Sequence, residues 1–350
     1  MLKSMIPTPT EWDAFVQHQP RAHTLQLSAW GELKHAYGWQ VVRVALQDEA
    51  GVIVAGAQVL LKMLPFHFST MGYIPMGPYV TDDLQYPALW DALRRHLIRH
   101  HRTAFIKIEP GIFTPGETVP DWSQWGFTES PQTIQPPRTV LIDITGSEEA
   151  ILARMNQGTR RKIRQSIDKN GIRYYEGSRA DVAKFNALMQ TTGDRNEFGV
   201  HEPAYYERAY DLFVPGHATL LLAEHEGDTL AGIMVFATGQ TACYLYGASS
   251  NDKRNLMASY GIQWQAIQWA RARGCTTYDL WGIPDEDEAT LEAQFQTRSD
   301  GLWGVYGFKR GWGGQVVRSQ GTWDCGYIPL FYQAYKLALR YRDRRVDTEG

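Results

Sequence analysis

One arrangement of apolar runs occurs twice along the chain, and a repeat of this length restricts the possible folds more than any other feature of the sequence. In the first half, WQVVRVALQDEAGVIVAGAQVLLKML reads as two strands joined by a turn at Glu49–Gly51, because alternating β-branched residues flank a glycine-containing break. YIPMGPYV follows as a third strand, YPALWDALRRHLIRHH as an amphipathic helix and AFIKIEP as a fourth strand. In the second half ATLLLAEHEGDTLAGIMVFATG is again strand, turn at Glu226–Asp228 and strand, and CYLYGASS is the third strand. The helix SYGIQWQAIQWARARG, stopped by Gly274, and the closing strand TTYDLWGIP complete the copy. Even the small pair after the turn recurs, as Ala55-Gly56 and Ala231-Gly232.

A strand–strand–strand–helix–strand unit used twice predicts a duplicated α/β fold with mixed sheets, and the unit resembles the core of the GNAT acyltransferase fold, which implies tandem duplicated GNAT-like domains. The 350 residues exceed what one core ordinarily holds and suffice for two. The boundary is expected near residue 145, where LIDITGSEEAILARM passes from a strand into a helix capped by Ser147, with Glu148 and Glu149 in its first turn. GGQVVRSQGTWD and the C-terminal helix are expected to return to the first domain, giving 1–145 plus 316–350 and 146–315.

A net charge of −3 exerts no global pull on nucleic acid or membrane, so an anionic partner has to meet a local patch. The three cysteines, Cys243, Cys275 and Cys325, are far apart and form no Cys-x-x-Cys pair, which argues against a disulfide framework or zinc knuckle and for reduced thiols in a cytoplasmic protein. Prolines interrupt MLKSMIPTPTEW, and no run approaches the ~20 apolar residues of a spanning helix, so a soluble, unprocessed chain is expected.

Several chemistries are disfavoured by particular residues. An acetyl-CoA enzyme of this fold needs glycines after an arginine in the loop before the helix. SSNDKRNLMASYG instead places Met257 and Ser259 there, counting from Arg254, and VTDDLQYPALW offers two aspartates and a proline. His96, His100 and His101 lie among Arg94, Arg95, Arg99 and Arg102, which repel a cation, so no metal is expected. No G-x-S-x-G elbow occurs. The densest positive charge is Arg154, Arg160, Arg161, Lys162, Arg164, Lys169 and Arg173 against Asp168 alone, which reads either as a phosphate-binding surface or as a solvated helix face. Arg195 lies in the turn-rich TTGDRNEFGVH, with a fork suited to phosphate, or to an ion pair with Asp194 or Glu197. In GVYGFKRGWGGQVV, Lys309 and Arg310 sit among three aromatics and five glycines, and a cation so placed is a surface accident or a positioned tool.

Read in order, LQLSAWGELKHAYGW, YIPMGPYV, IKIEP, the TRRKIRQSIDKNGI helix, TTGDRNEFGVH, CYLYGASSNDKRNLMASYGIQWQAI, CTTYDLWGIP and GLWGVYGFKRGWGG resemble the FemABX family across nearly the whole chain. These are tRNA-dependent aminoacyltransferases that build the peptide bridges of peptidoglycan. The resemblance implies an aminoacyl-tRNA donor with no further cofactor, and a lipid II or UDP-MurNAc-peptide acceptor. It also implies a monomeric, compact form, since no heptads supply the coiled-coil arm of longer members. Lys34 and Arg195 match the cations that hold the precursor's diphosphate, Tyr244, Tyr246 and Arg254 match the acceptor channel, and Trp312 is a further substrate-binding candidate. Lys309, with Phe308, matches the lysine beside the reacting ester, and Glu109 an acid at a strand end; Met76 departs from the arginine of many relatives.

An amine attacking an ester concentrates negative charge on the carbonyl oxygen, and a well-aimed donor is worth ~3–4 kcal/mol there. On this reading Lys309, pressed between Phe308 and Trp312 in a dry glycine-framed bend, supplies that donor, and Glu109 or a substrate group takes the amine proton. Gly311 and Gly313 admit the terminal adenosine of the tRNA, while Arg160, Arg161, Lys162 and Arg164 are further tRNA-binding candidates. The C-terminal YQAYKLALRYRDRR, with Lys336, Arg340, Arg342, Arg344 and Arg345, either lies on the inner face of an anionic membrane or packs by its apolar side. The competing readings are a GNAT-fold acyltransferase with another donor or acceptor, and a non-catalytic binding protein.

Overall fold

The computed structural model describes residues 2–65, 68–113, 117–169, 171–196 and 199–346. The chain divides into two units, residues 1–137 with 319–350, and residues 138–318.

The first unit opens with strand Lys3–Met5 (β1) and helices Pro9–Gln17 (α1) and Ser28–His35 (α2). The proline-interrupted N-terminus thus builds a helix, because Pro9 takes the first position and Thr8 and Glu11 cap it reciprocally. The meander Gln40–Gln47 (β2), Ile53–Met63 (β3) and Thr70–Pro75 (β4) is antiparallel. YIPMGPYV is not one strand: Met76 adopts φ +50°, and Tyr79–Val80 (β5) turns back to pair with β3. Helix Tyr86–His101 (α3) then leads to Thr103–Glu109 (β6), parallel to β4, followed by the short Thr128–Glu129 (β7). Alternate residues Ala55, Ala57, Val59 and Leu61 of β3 meet Leu89, Leu93 and Leu97 of α3 in the core, each large side chain contributing about 1.5–3 kcal/mol by its burial.

The second unit repeats this order. Arg138–Asp143 (β8) is followed by helices Glu148–Arg154 (α4) and Gln157–Arg164 (α5), a π-helical turn Gln165–Lys169, and Arg173–Glu176 (β9). Helices Val182–Asn196 (α6) and Pro203–Phe213 (α7) precede the meander Ala218–His225 (β10), Asp228–Thr238 (β11) and Thr241–Ser249 (β12). Helix Ala258–Ala272 (α8) leads to Thr277–Asp279 (β13), parallel to β12. Glu288–Gln294 (α9), Trp303–Lys309 (α10) and Gln315–Arg318 (β14) follow, and the sheet runs β14-β8-β13-β12-β11-β10-β9. The chain then returns to the first sheet as Trp323–Gly326 (β15), antiparallel to β6 and β7, and ends in helix Pro329–Val346 (α11). No helix among the described residues is long and apolar enough to cross a membrane.

Both copies use the small pair alike. A Cβ at Gly56 would lie 2.7 Å from a Trp12 ring carbon of α1, and one at Gly232 would lie 2.8 Å from a Phe185 ring carbon of α6. The glycine in each meander therefore admits one aromatic ring from a preceding helix. The domain limits differ from the expected ones, since β8 pairs with β13 and β14, which assigns 138–143 and 315–318 to the second sheet. The alternating pattern of RTVLID suits either sheet and carries no information about its partner.

The returning strand is held by a fully buried ion pair. Lys107 of β6 meets Asp324 of β15 at 2.9 Å, and its ammonium also donates to the Gln132 carbonyl at 3.0 Å and to the Ser130 hydroxyl. Replacing one member strands the other charge, so Asp324→Asn is expected to cost about 3–5 kcal/mol in urea denaturation. The Lys107→Met/Asp324→Leu double variant should recover most of that loss, and an Asn variant as stable as the parent would contradict this account.

Candidate active site

The FKRGWGG segment is a helix end rather than a glycine-framed bend. Lys309 is the last residue of α10, a 3-10 turn Arg310–Trp312 follows, and Gly313 stops it at φ +74°. Phe308 and Trp312 are four apart and share a face, so they pack on Tyr260 of α8 at ring distances of 5.0 and 6.0 Å. Lys309 points elsewhere, and is not sandwiched between them.

The Lys309 residue is 6% exposed, and its ammonium donates to the Gly282 carbonyl at 2.6 Å and the Trp281 carbonyl at 3.2 Å. It also lies 5.9 Å from the centre of the Tyr244 ring. Burial lowers its pKa to about 8, with Asp279 and then Cys243 pulling in the opposite direction. Asp279, at the end of β13, accepts the Trp281 N–H at 2.7 Å and the Thr139 hydroxyl through one oxygen. Burial raises the Asp279 carboxyl and pushes the Cys243 thiol well up. Neighbouring Arg310 is tied down separately by Glu292, at 2.8 Å from its Nε, and by the Phe295 ring at 4.1 Å.

Gly311 and Gly313 are filled by the chain itself. A Cβ at Gly311 would lie 2.4 Å from the Thr159 hydroxyl oxygen, and one at Gly313 would lie 2.2 Å from the Arg154 carbonyl oxygen. The Gly311 carbonyl accepts the Asn156 N–H at 3.1 Å, which fixes the start of α5 to the end of α10. These glycines permit close packing of three helix ends, so they are not an opening for adenosine.

The basic helix splits its cations. Arg160, Arg161 and Arg164, with Gln165 and Asp168, line an open groove of about 880 Å³ along α5 and the π-helical turn. Arg160 also caps α4 by donating to the Met155 carbonyl. Lys162 leaves this group, donating to the Tyr260 hydroxyl at 3.0 Å and lying 4.6 Å from that ring's centre.

Residues 191–196 of the supposed turn belong to α6. Arg195 at its end donates to the Ser249 carbonyl at 3.0 Å and to Asn251 Oδ1 at 2.7 Å, and among the described residues no carboxylate pairs with it; Glu197 lies outside them. Burial and then neighbouring Arg254 lower its pKa, so two guanidinium groups share this corner. Tyr244 and Tyr246 do not line one channel. β12 skips Leu245 against β11, so Tyr244 pairs with Val235 and Tyr246 with Met234, which sends them to opposite faces. Tyr244 packs against the core that holds Ile262 and Trp312, whereas Tyr246 meets Tyr205 of α7, hydroxyl to hydroxyl at 3.0 Å.

In the first unit, Lys34 lies 4.6 Å from the Trp30 ring centre, and burial lowers its pKa to about 8. Glu109 is buried and accepts from the Tyr73 hydroxyl, the Ile134 N–H at 2.6 Å, the Gln135 N–H at 3.2 Å and the Thr322 hydroxyl at 3.0 Å. A carboxylate so engaged ties the 134–135 and 322 segments to β6, an arrangement suited to structure rather than to accepting a proton. Sequence reasoning missed Asp279, Trp281, Gly282 and Tyr260. An aspartate two residues before the Trp-Gly of YDLWGIP was the one available signal, since such a side chain can accept the N–H two residues on.

Comparison with known proteins adds independent findings. A model described as the FemAB family matches residues 8–117, 122–228 and 224–340. The chain is 25% identical over 421 residues to a lipid II:glycine glycyltransferase of Staphylococcus epidermidis, covering 99% of this chain and 98% of that protein. It is 26% identical over 410 residues to the protein of the same name from Staphylococcus aureus, covering 95% and 94%. Both alignments are longer than the 350-residue chain, so these relatives carry segments that it lacks. Among solved structures, that of FemX matches with a TM-score of 0.85 and 24% identity over 95% of this chain and 99% of that one. A tandem GNAT protein from the clavulanic acid biosynthesis pathway matches with a TM-score of 0.54 and 10% identity over 93% and 98%. The duplicated fold is thus GNAT-like.

If Gly313 serves packing, Gly313→Ala should destabilise the protein by about 1–3 kcal/mol or more, because it combines a positive φ with a clash against backbone. Thermal unfolding reads this directly, and an unchanged melting temperature would show that the position is open.

Proposed function

The chain belongs to the FemAB family, and from that membership we propose that it transfers an amino acid from aminoacyl-tRNA to the stem-peptide amine of a peptidoglycan precursor. Relatives matched over almost their whole length are named lipid II:glycine glycyltransferases, which supports aminoacyl transfer in bridge synthesis and a lipid-linked acceptor. The observation that carries the reading is the buried ammonium of Lys309, held by the two carbonyls of Trp281 and Gly282.

The acceptor amine attacks the ester carbonyl, and the C–O bond to the ribose breaks as the new C–N bond forms. Negative charge develops first on the carbonyl oxygen, where the fixed ammonium of Lys309 stabilises it in a site poor in water. The proton lost by the amine ends on the departing ribose oxygen, so the reaction balances without Glu109. Arg195 and Arg254 suit the acceptor's diphosphate, since neighbouring guanidiniums with no carboxylate paired to them among the described residues favour an anion. Lys34 is assigned the same kind of partner within its own unit. The groove of Arg160, Arg161 and Arg164 suits the donor's phosphate backbone.

Helix α11 supports a membrane-lying reading. Tyr332 and Leu339 are buried, whereas Leu330 and Leu337 are 79% and 64% exposed. The side chains of Arg340, Arg342, Arg344 and Arg345 lie outside the described residues. Leu330→Asp/Leu337→Asp should weaken sedimentation with phosphatidylglycerol vesicles about tenfold, and equal binding would remove the helix from membrane contact.

Incubation with mixed aminoacyl-tRNA and either lipid II or UDP-MurNAc-pentapeptide tests the function. The precursor's mass should rise by one amino-acid residue, and ribonuclease should abolish the gain; no gain with any charged tRNA would overturn the reading. In the same assay Lys309→Met should lower kcat about 10²–10³-fold with little change in acceptor KM. Because the ammonium faces Asp279, Cys243 and Tyr244 and loses its proton near pH 8, turnover should fall as pH rises through about 8. A rate still climbing well above that pH would exclude a protonated lysine.

A further inference from the structure

Two successive carbonyls converge on one ammonium only because the chain between β13 and Pro284 is bent sharply. Trp281 occupies the left-handed region at φ +60°, a conformation that a bulky side chain rarely adopts and that the surroundings must enforce. The enforcing contact is local. Asp279 Oδ1 accepts the Trp281 N–H at 2.7 Å, closing a turn in which the side chain takes the place of a backbone carbonyl. The same oxygen accepts the Thr139 hydroxyl from β8, which anchors the carboxyl to the sheet. Asp279 and Lys309 are both almost fully enclosed, at 5% and 6% exposure, so neither has bulk water available to substitute for these partners.

We propose that Asp279 is the positioning residue of the reaction: by holding the Trp281 peptide in its left-handed turn, it aims the Trp281 and Gly282 carbonyls that fix the Lys309 ammonium. Its part in positioning is that of a hydrogen-bond acceptor, separate from the pull of its charge on the Lys309 proton. An asparagine at 279 keeps an acceptor oxygen of the same reach, whereas an alanine has none. This inference rests on the role of Lys309 given above.

The test compares Asp279→Asn, Asp279→Ala and Lys309→Met by turnover of mixed aminoacyl-tRNA with lipid II, at a pH well below the Lys309 midpoint of about 8. Asp279→Ala is expected to lower kcat about 10²-fold with acceptor KM unchanged, the penalty of a misplaced catalytic group. Asp279→Asn is expected to stay within about threefold of the parent, because the turn-closing acceptor survives. An Asn variant as impaired as the Ala variant, with the parent's melting temperature, would overturn the proposal in favour of a charge effect. An Ala variant with full kcat would overturn it outright. If Asp279→Ala does not fold, the Asn variant decides alone, since a loss beyond about thirtyfold contradicts acceptor-only positioning. Lys309→Met separates the two readings: full activity there sinks the role of the lysine, whereas its loss beside an unaffected Asp279→Ala sinks the positioning role alone.

Discussion

An ammonium group removed from water has to be surrounded by acceptors, and in the second unit that requirement organises everything near Lys309. A pKa of about 8 in place of 10.5 corresponds to about 3 kcal/mol against the charged form, so the site tolerates the cation without making it comfortable. The Trp281 and Gly282 carbonyls compensate in part. Supplying them demands the left-handed turn at Trp281, the turn demands Asp279, and the end of α10 has to stop where Lys309 reaches them. A donor held in this way needs no rearrangement when charge appears on a substrate oxygen, which is the physical basis of electrostatic catalysis.

The surrounding packing keeps that donor in place. Gly313 lets the end of α10 approach the α4 backbone, and Gly311 lets it approach the Thr159 and Asn156 side chains at the start of α5, more closely than any other residue would allow. Lys162 and Tyr260 add a contact from the basic helix to the ring cluster of Phe308 and Trp312. The helix that presents Arg160, Arg161 and Arg164 is therefore fixed to the element that carries the lysine.

The duplicated architecture was legible because strand alternation, turn glycines and helical spacing are local signals, and they recur in the same order in both halves. The Ala-Gly pairs were visible too, although their purpose, admitting Trp12 and Phe185, requires the tertiary fold. Strand partnership was not legible: β8 and β14 carry patterns that fit either sheet. Nor was the splitting of Tyr244 from Tyr246, because the skipped Leu245 reverses the facing that strict alternation predicts. Lys309 stood out through its unusual company of aromatics and glycines, yet those neighbours turned out to shape the helix end and not to enclose the ammonium. The groups that accept its hydrogen bonds lie near residue 280 and are backbone carbonyls, to which composition and motif are blind.

The central claim is that Lys309 is a desolvated, carbonyl-held ammonium. Nuclear magnetic resonance titration of lysine side chains in the intact protein, with the Lys309 signal identified by its loss in a substituted protein, measures this directly. The structure predicts a midpoint near 8; a midpoint at the ordinary 10.5 would mean that the group is hydrated and would contradict the account.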